Sequence, residues 1–170
     1  MAVSRRGRPL AEEEKSTDAA KARARALDAL SAREMTSTQL YERLCARFTE
    51  QAAAAAVAEM VELDYVNDDR YAETRAHGLL MARKSRRAAA QNLRQKGLNS
   101  QQIEQALETA YAPDENGESP ELEAAAALVA SRYRKKLADG RRDLVVAALQ
   151  RRGFAYAVIK EAIRRTEEEL

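Results

Sequence analysis

From Ala22 onward, apolar residues recur at three- and four-residue spacings along almost the whole chain. That period is the signature of amphipathic helix. Interruptions fall at 35–38, 47–50, 64–68, 84–85, 97–100, 111–120, 139–140 and 153–154, which leaves nine helical segments. Alternating strand patterns and β-branched runs are nearly absent. Residues 1–21 have little to bury and read as a disordered tail. The stretch 112–120 carries Pro113, Asn116-Gly117 and Pro120 with three acids, and reads as an acidic linker.

The pattern repeats. Leu93-Arg94-Gln95-Lys96-Gly97-Leu98 overlies Leu149-Gln150-Arg151-Arg152-Gly153-Phe154 at an offset of 56 residues, and the same offset pairs Ile103 with Ile159 and Leu107 with Ile163. Leu44-Cys45-Ala46-Arg47-Phe48 fits with the glycine deleted, and Ala53 and Val57 take the downstream apolar positions. Three copies of a three-helix unit follow: 22–66, 67–111 and 121–166, with an acidic C-terminus at 167–170. In each copy the leucine closes the second helix. Where a glycine follows, it can take the left-handed conformation that ends a helix. A unit of this size buries too little apolar surface to be stable alone. Tandem stacking supplies the missing contacts. The expected fold is all-α: three tandem three-helix repeats forming an elongated, curved array.

Composition sharpens this picture. Good helix formers dominate, while the chain has 6 Gly, 3 Pro, no Trp and 5% aromatics. A sandwich, barrel or doubly wound sheet is excluded on these grounds. The single cysteine, Cys45, cannot close an internal disulfide, which fits a reducing cytoplasm. One histidine, His77, and one cysteine make no soft-ligand metal cluster, so no metal or other cofactor is expected. No glycine-rich phosphate loop is present, and no catalytic triad can be assembled around His77, so the chain is read as a non-enzyme. The N-terminus lacks the apolar run of a secretory signal, and no stretch is long enough to span a bilayer.

The formal net charge is only +2, but its distribution is uneven. Copy one carries 5 basic and 7 acidic groups, copy two 8 and 5, and copy three 11 and 5. Copies two and three are therefore basic. Their clusters are Arg83, Arg86 and Arg87; Arg94 and Lys96; Arg132, Arg134, Lys135 and Lys136; Arg141 and Arg142; and Arg151 and Arg152. A repeated Arg/Lys face suits phosphates or an acidic protein surface. The competing reading of any one cluster is an ordinary solvated helix face. Each copy also resembles a helix-turn-helix fragment, which keeps open a stand-alone DNA-binding module.

Asp68-Asp69-Arg70-Tyr71-Ala72 opens the second copy, where Asn67 or Asp68 suits an N-cap. Together with Leu93, Lys96 and Gly97 in their spacing, this segment resembles the core of the RecX regulatory family. The resemblance covers about 22–166. It implies a modulator of the RecA recombinase that lodges in the groove of the RecA filament on single-stranded DNA. It further implies restraint of ATP hydrolysis, strand exchange and the co-protease action of the SOS response. On that resemblance the partners are the RecA filament and single-stranded DNA, possibly duplex DNA, contacted by a cytoplasmic monomer through the thirteen basic residues named above.

Overall fold

The computed structural model describes residues 10–168, and it is all-helical over that range apart from one isolated β-bridge. The first nine residues of the expected tail and the last two of the acidic C-terminus lie outside the described residues. The chain divides into two compact units, Met1–Tyr71 and Ala72–Leu170.

The first unit holds α1 (Ala19–Ala32), α2 (Ser37–Cys45) and α3 (Glu50–Glu62). Its core is built on small residues: Ala22, Ala26, Ala29, Ala52, Ala53 and Ala56 pack with Met35, Leu40, Leu44, Phe48, Met60 and Val66. Alanine faces let helix backbones approach closely: in the run from Ala52 to Ala56, Ala52, Ala53 and Ala56 face the core while Ala54 and Ala55 are exposed. Each helix start is capped by a side chain: Asp18 for α1, Thr36 for α2 and Thr49 for α3. These caps accept N–H groups that have no partner within the helix.

The expected disordered tail is shorter in its described part. Glu12–Glu14 forms a 3-10 turn, and Asp18 already caps α1. Ser16 explains the order. Its N–H donates to the Arg47 carbonyl at 3.0 Å, and its carbonyl accepts from Thr49 N at 3.0 Å. Copy one lacks the turn glycine, so its α2–α3 turn is closed by Arg47 N and Phe48 N, both donating to Leu44 O. Ser16 takes up the backbone groups left at this turn.

The second copy begins at α4 (Asp68–Met81), within which the boundary between the two units falls, and continues through α5 (Arg86–Gln95) and α6 (Ser100–Ala110). The third copy holds α7 (Pro120–Leu128), a π-helical turn at Val129–Tyr133, α8 (Arg134–Ala138), α9 (Arg142–Arg151) and α10 (Tyr156–Glu168). The sequence pattern predicted a single helix up to 138, and the π turn divides it. A π turn inserts a residue into the helical ladder and frees carbonyls from their usual donors. Here Ser131 Oγ donates to Ala127 O at 2.6 Å, and Arg83 Nη1 reaches both Ala127 O and Ser131 Oγ, at 3.3 and 3.0 Å.

The repeated leucines and their turn partners are core. Leu93, Leu98, Ile103 and Leu107 are buried in copy two, and Leu149, Phe154, Ile159 and Ile163 in copy three. Gly97 and Gly153 end α5 and α9 with φ of 82° and 88°. Gly153 also lies against copy two: a Cβ placed there would stand 2.8 Å from Ser85 Oγ. The linker is folded on itself, with Asp114 accepting from Asn116 N and Glu118 N. It is also tied to α10, because Arg165 bridges Glu118, Glu123 and Glu161.

Candidate interaction surface

The motif residues at the start of α4 are joint residues. Asn67 Oδ1 accepts from Arg70 N at 2.9 Å, so Asn67, not Asp68, caps the helix. Asp68 instead accepts from Ser37 N at 2.7 Å and Ser37 Oγ at 2.5 Å, at the first turn of α2. Arg70 pairs with Asp64 at 3.0 Å and also reaches its carbonyl. The Asn67 amide and the Arg70 guanidinium together hold the Asp64 carboxyl below its ordinary range. Ala72 is buried, Tyr71 is half-buried and Asp69 is exposed in the first turn.

Copy two is joined to copy three in the same way. Glu121, in the first turn of α7, accepts from Arg86 N at 2.9 Å, at the first turn of α5. In both joints a carboxylate from the first helix of one copy satisfies an orphan N–H at the second helix of the copy before it. Ser85 completes the second joint. It is fully buried, accepts from Ala88 N at 3.1 Å and donates to Arg152 O at 2.8 Å. Sequence reasoning missed Ser85 and Glu121. A signal for Ser85 existed, since it stands 49 residues after Thr36, as Leu93 does after Leu44. Tyr111, closing α6, donates to Lys84 O at 2.9 Å, and burial pushes its phenol up to about 12.

The basic residues divide into two groups. Several are engaged within the protein: Arg83 at the π turn, Arg86 in an ion pair with Glu104, and Arg142 with Glu167 at 3.2 Å. Arg152 Nε donates to the Tyr133 hydroxyl at 3.3 Å, and Lys136 lies 5.6 Å from the same ring's centroid. Lys96 is half-buried at the C-cap of α5, Gly97 follows it at the turn, and Arg134 is exposed at the start of α8.

The second group is exposed and has no carboxylate partner among the described residues: Arg87, Arg94, Arg132, Lys135, Arg141 and Arg151. Two of them come together. Arg87 and Arg94 lie two turns apart on α5 and line one open depression with Ala90, Gln91 and Gln95. Arg141 and Arg151 stand at opposite ends of α9, about 15 Å apart by the helical rise. The open basic residues thus form a stripe on α5 and separate points in copy three. An exposed guanidinium without an internal partner can engage an anion without first breaking a contact. No group of three or more metal-ligating side chains gathers among the described residues, and no described helix is long and apolar enough to cross a membrane.

The fold and the motif segment both have counterparts. A family model described as "RecX, second three-helix domain" matches residues 67–107, the segment that contains α4, α5 and most of α6. The chain is 34% identical over 95 residues to the regulatory protein RecX of Caldanaerobacter subterraneus subsp. tengcongensis. That match covers 55% of this chain and 48% of the relative, so the chain spans about half the length of this curated protein. A crystal structure of RecX from Lactobacillus salivarius superposes with a TM-score of 0.74 at 22% identity, covering 88% of this chain and 96% of that one. A second crystal structure, of regulatory protein RecX, gives 0.72 at 24% identity over 84% and 71%. This chain is therefore similar to the RecX regulatory proteins, in sequence through its second three-helix segment and in fold through most of its length.

Proposed function

We propose that this protein regulates the RecA recombinase by binding its filament on single-stranded DNA and restraining ATP hydrolysis, strand exchange and co-protease action. It acts by occupying a surface and performs no covalent chemistry. The observation that carries this reading is the position of the unpaired arginine stripe. Arg87 and Arg94 lie on α5, inside the segment that matches the RecX second domain. Arg132, Lys135, Arg141 and Arg151 extend the positive charge as secondary contacts to DNA phosphate or RecA carboxylates. The reading also takes the protein as a cytoplasmic monomer.

Charge reversal at Arg87 and Arg94 tests it directly. These side chains carry no internal ion pair, so Arg87→Glu with Arg94→Glu leaves the fold intact. The variant is expected to need at least about tenfold more protein to inhibit RecA ATPase. The paired residues Arg86 and Arg142 are poorer targets, because reversing them opposes Glu104 and Glu167. Unchanged inhibition by a folded variant, or no inhibition by the wild-type chain at stoichiometric amounts, overturns the reading. A stand-alone DNA-binding module would instead bind naked oligonucleotide tightly, with a log–log salt slope near about −0.7 per phosphate contact.

A further inference from the structure

Arg83 ends α4 at a positive φ of 55°, a region that residues other than glycine seldom adopt. Its N–H donates to Leu80 O and that of Lys84 to Leu79 O. The first helix of copy three ends with the same pair of bonds, from Gly140 to Leu137 O and from Arg141 to Lys136 O, and there the left-handed residue is a glycine. A residue with a side chain stays in this region where its surroundings over-determine it. Around Arg83 they do so through the guanidinium, whose Nη1 donates to Ala127 O at 3.3 Å and to Ser131 Oγ at 3.0 Å. The other charged neighbours are acidic. Arg83 lines a depression of about 380 Å³ with Asp114, Glu118 and Glu123, and these carboxylates repel a phosphate.

The π turn that Arg83 touches decides which residues of copy three face water. An α-helix advances by about 100° per residue. Counted from the buried Ala125, an unbroken helix brings Arg132 and Lys136 onto the core face and turns Tyr133 and Leu137 away from its centre. The extra residue of a π turn shifts every later position by one. Tyr133 and Leu137 are accordingly buried, while Arg132, Lys135 and Lys136 are exposed. We propose that Arg83 is a positioning residue. It holds the π turn, and through it presents Arg132 and Lys135 to the partner, without meeting that partner itself. The role in binding rests on the function proposed above. Arg83 thereby leaves the set of contact residues that the sequence suggests, because its guanidinium is spent on Ala127 and Ser131 and is ringed by carboxylates.

Arg83→Ala removes the guanidinium, and Ser131→Ala weakens the same anchor without changing charge. Amide hydrogen exchange is measured on the full-length proteins over residues 129–137, with 86–95 in α5 as the internal reference. Both variants are expected to exchange at least about tenfold faster over 129–137 and within about twofold of wild type over 86–95. Wild-type rates over 129–137 in Arg83→Ala overturn the anchor. A double-mutant cycle is then titrated against RecA filaments on single-stranded DNA: wild type, Arg83→Ala, Arg132→Ala with Lys135→Ala, and all three changes together. Arg83→Ala is expected to weaken filament binding about threefold in the wild-type chain, and to add less than about 1.5-fold once Arg132 and Lys135 are gone. Wild-type affinity in Arg83→Ala overturns the presenting role. A loss that persists in the Arg132→Ala, Lys135→Ala background makes Arg83 a contact and overturns it too. A wild-type chain that does not bind filaments overturns the proposed function, and the exchange rates then still decide whether Arg83 holds the turn.

Discussion

Copies two and three start their helices on the same plan and with opposite chemistry. Copy two places Ser85 and Asn99 at the starts of its second and third helices, and each side chain accepts from its own helix. Copy three places Arg141 and Ala155 there, and neither supplies a cap. The first choice uses polar side chains to stabilise the copy. The second leaves N–H groups and a guanidinium open, in a copy that also contains a π turn. Copy two is thus the better-anchored module, and copy three leaves more of its polar groups for contact.

The sharpest way to break this comparison is at the junction itself. Gly153→Ala puts a Cβ at positive φ and 2.8 Å from the buried Ser85 Oγ, whereas Gly140→Ala meets only the φ penalty, with nothing within 4 Å. Gly153→Ala is expected to cost about 3 kcal/mol and Gly140→Ala about 1 kcal/mol in urea unfolding. In a Ser85→Ala background the Gly153→Ala cost should fall toward the Gly140→Ala value, because the close atom is gone. Equal costs for the two glycine variants would mean that Gly153 is needed only for its φ.

Next in size is Ser85→Ala alone. It removes a helix cap and leaves the Arg152 carbonyl without its donor in a buried place, so about 2 kcal/mol should be lost. Arg141→Ala removes no cap and should change stability by less than about 0.5 kcal/mol in the same assay. If the two variants lose the same amount, the contrast between the copies is not energetic.

The smallest effect concerns pH. Tyr111 is held neutral in the fold, with its phenol pushed up to about 12 from an ordinary value near 10.0. A raised tyrosine contributes stability that is intact below pH 10 and is lost as pH rises toward 12. Tyr111→Phe should therefore flatten the alkaline side of the melting profile between those values. An unchanged alkaline slope would show that Tyr111 is not the group responsible.

Much of this was legible in the chain. Leu44, Leu93 and Leu149, with the turn residues Phe48, Leu98 and Phe154, reveal the repeat because a buried apolar position and a left-handed glycine each tolerate few residue types. Asn99 reads as a cap because a short polar side chain before a helical run has one evident use. The basic clusters were visible as clusters. Their division into paired and open residues was not, because the partners Glu104, Glu121 and Glu167 lie 18, 35 and 25 residues from the residues they engage.

The sequence by itself determined the all-helical class and the basic character of residues 67–111 and 121–166, because periodicity and charge are local properties. Only the tertiary structure decided that Asp68 and Glu121 join successive copies, that Ser16 closes the turn lacking a glycine, and that Arg87 and Arg94 form the open stripe. Those facts depend on which groups from distant segments satisfy one another's hydrogen bonds, and such pairing is settled only when the helices pack.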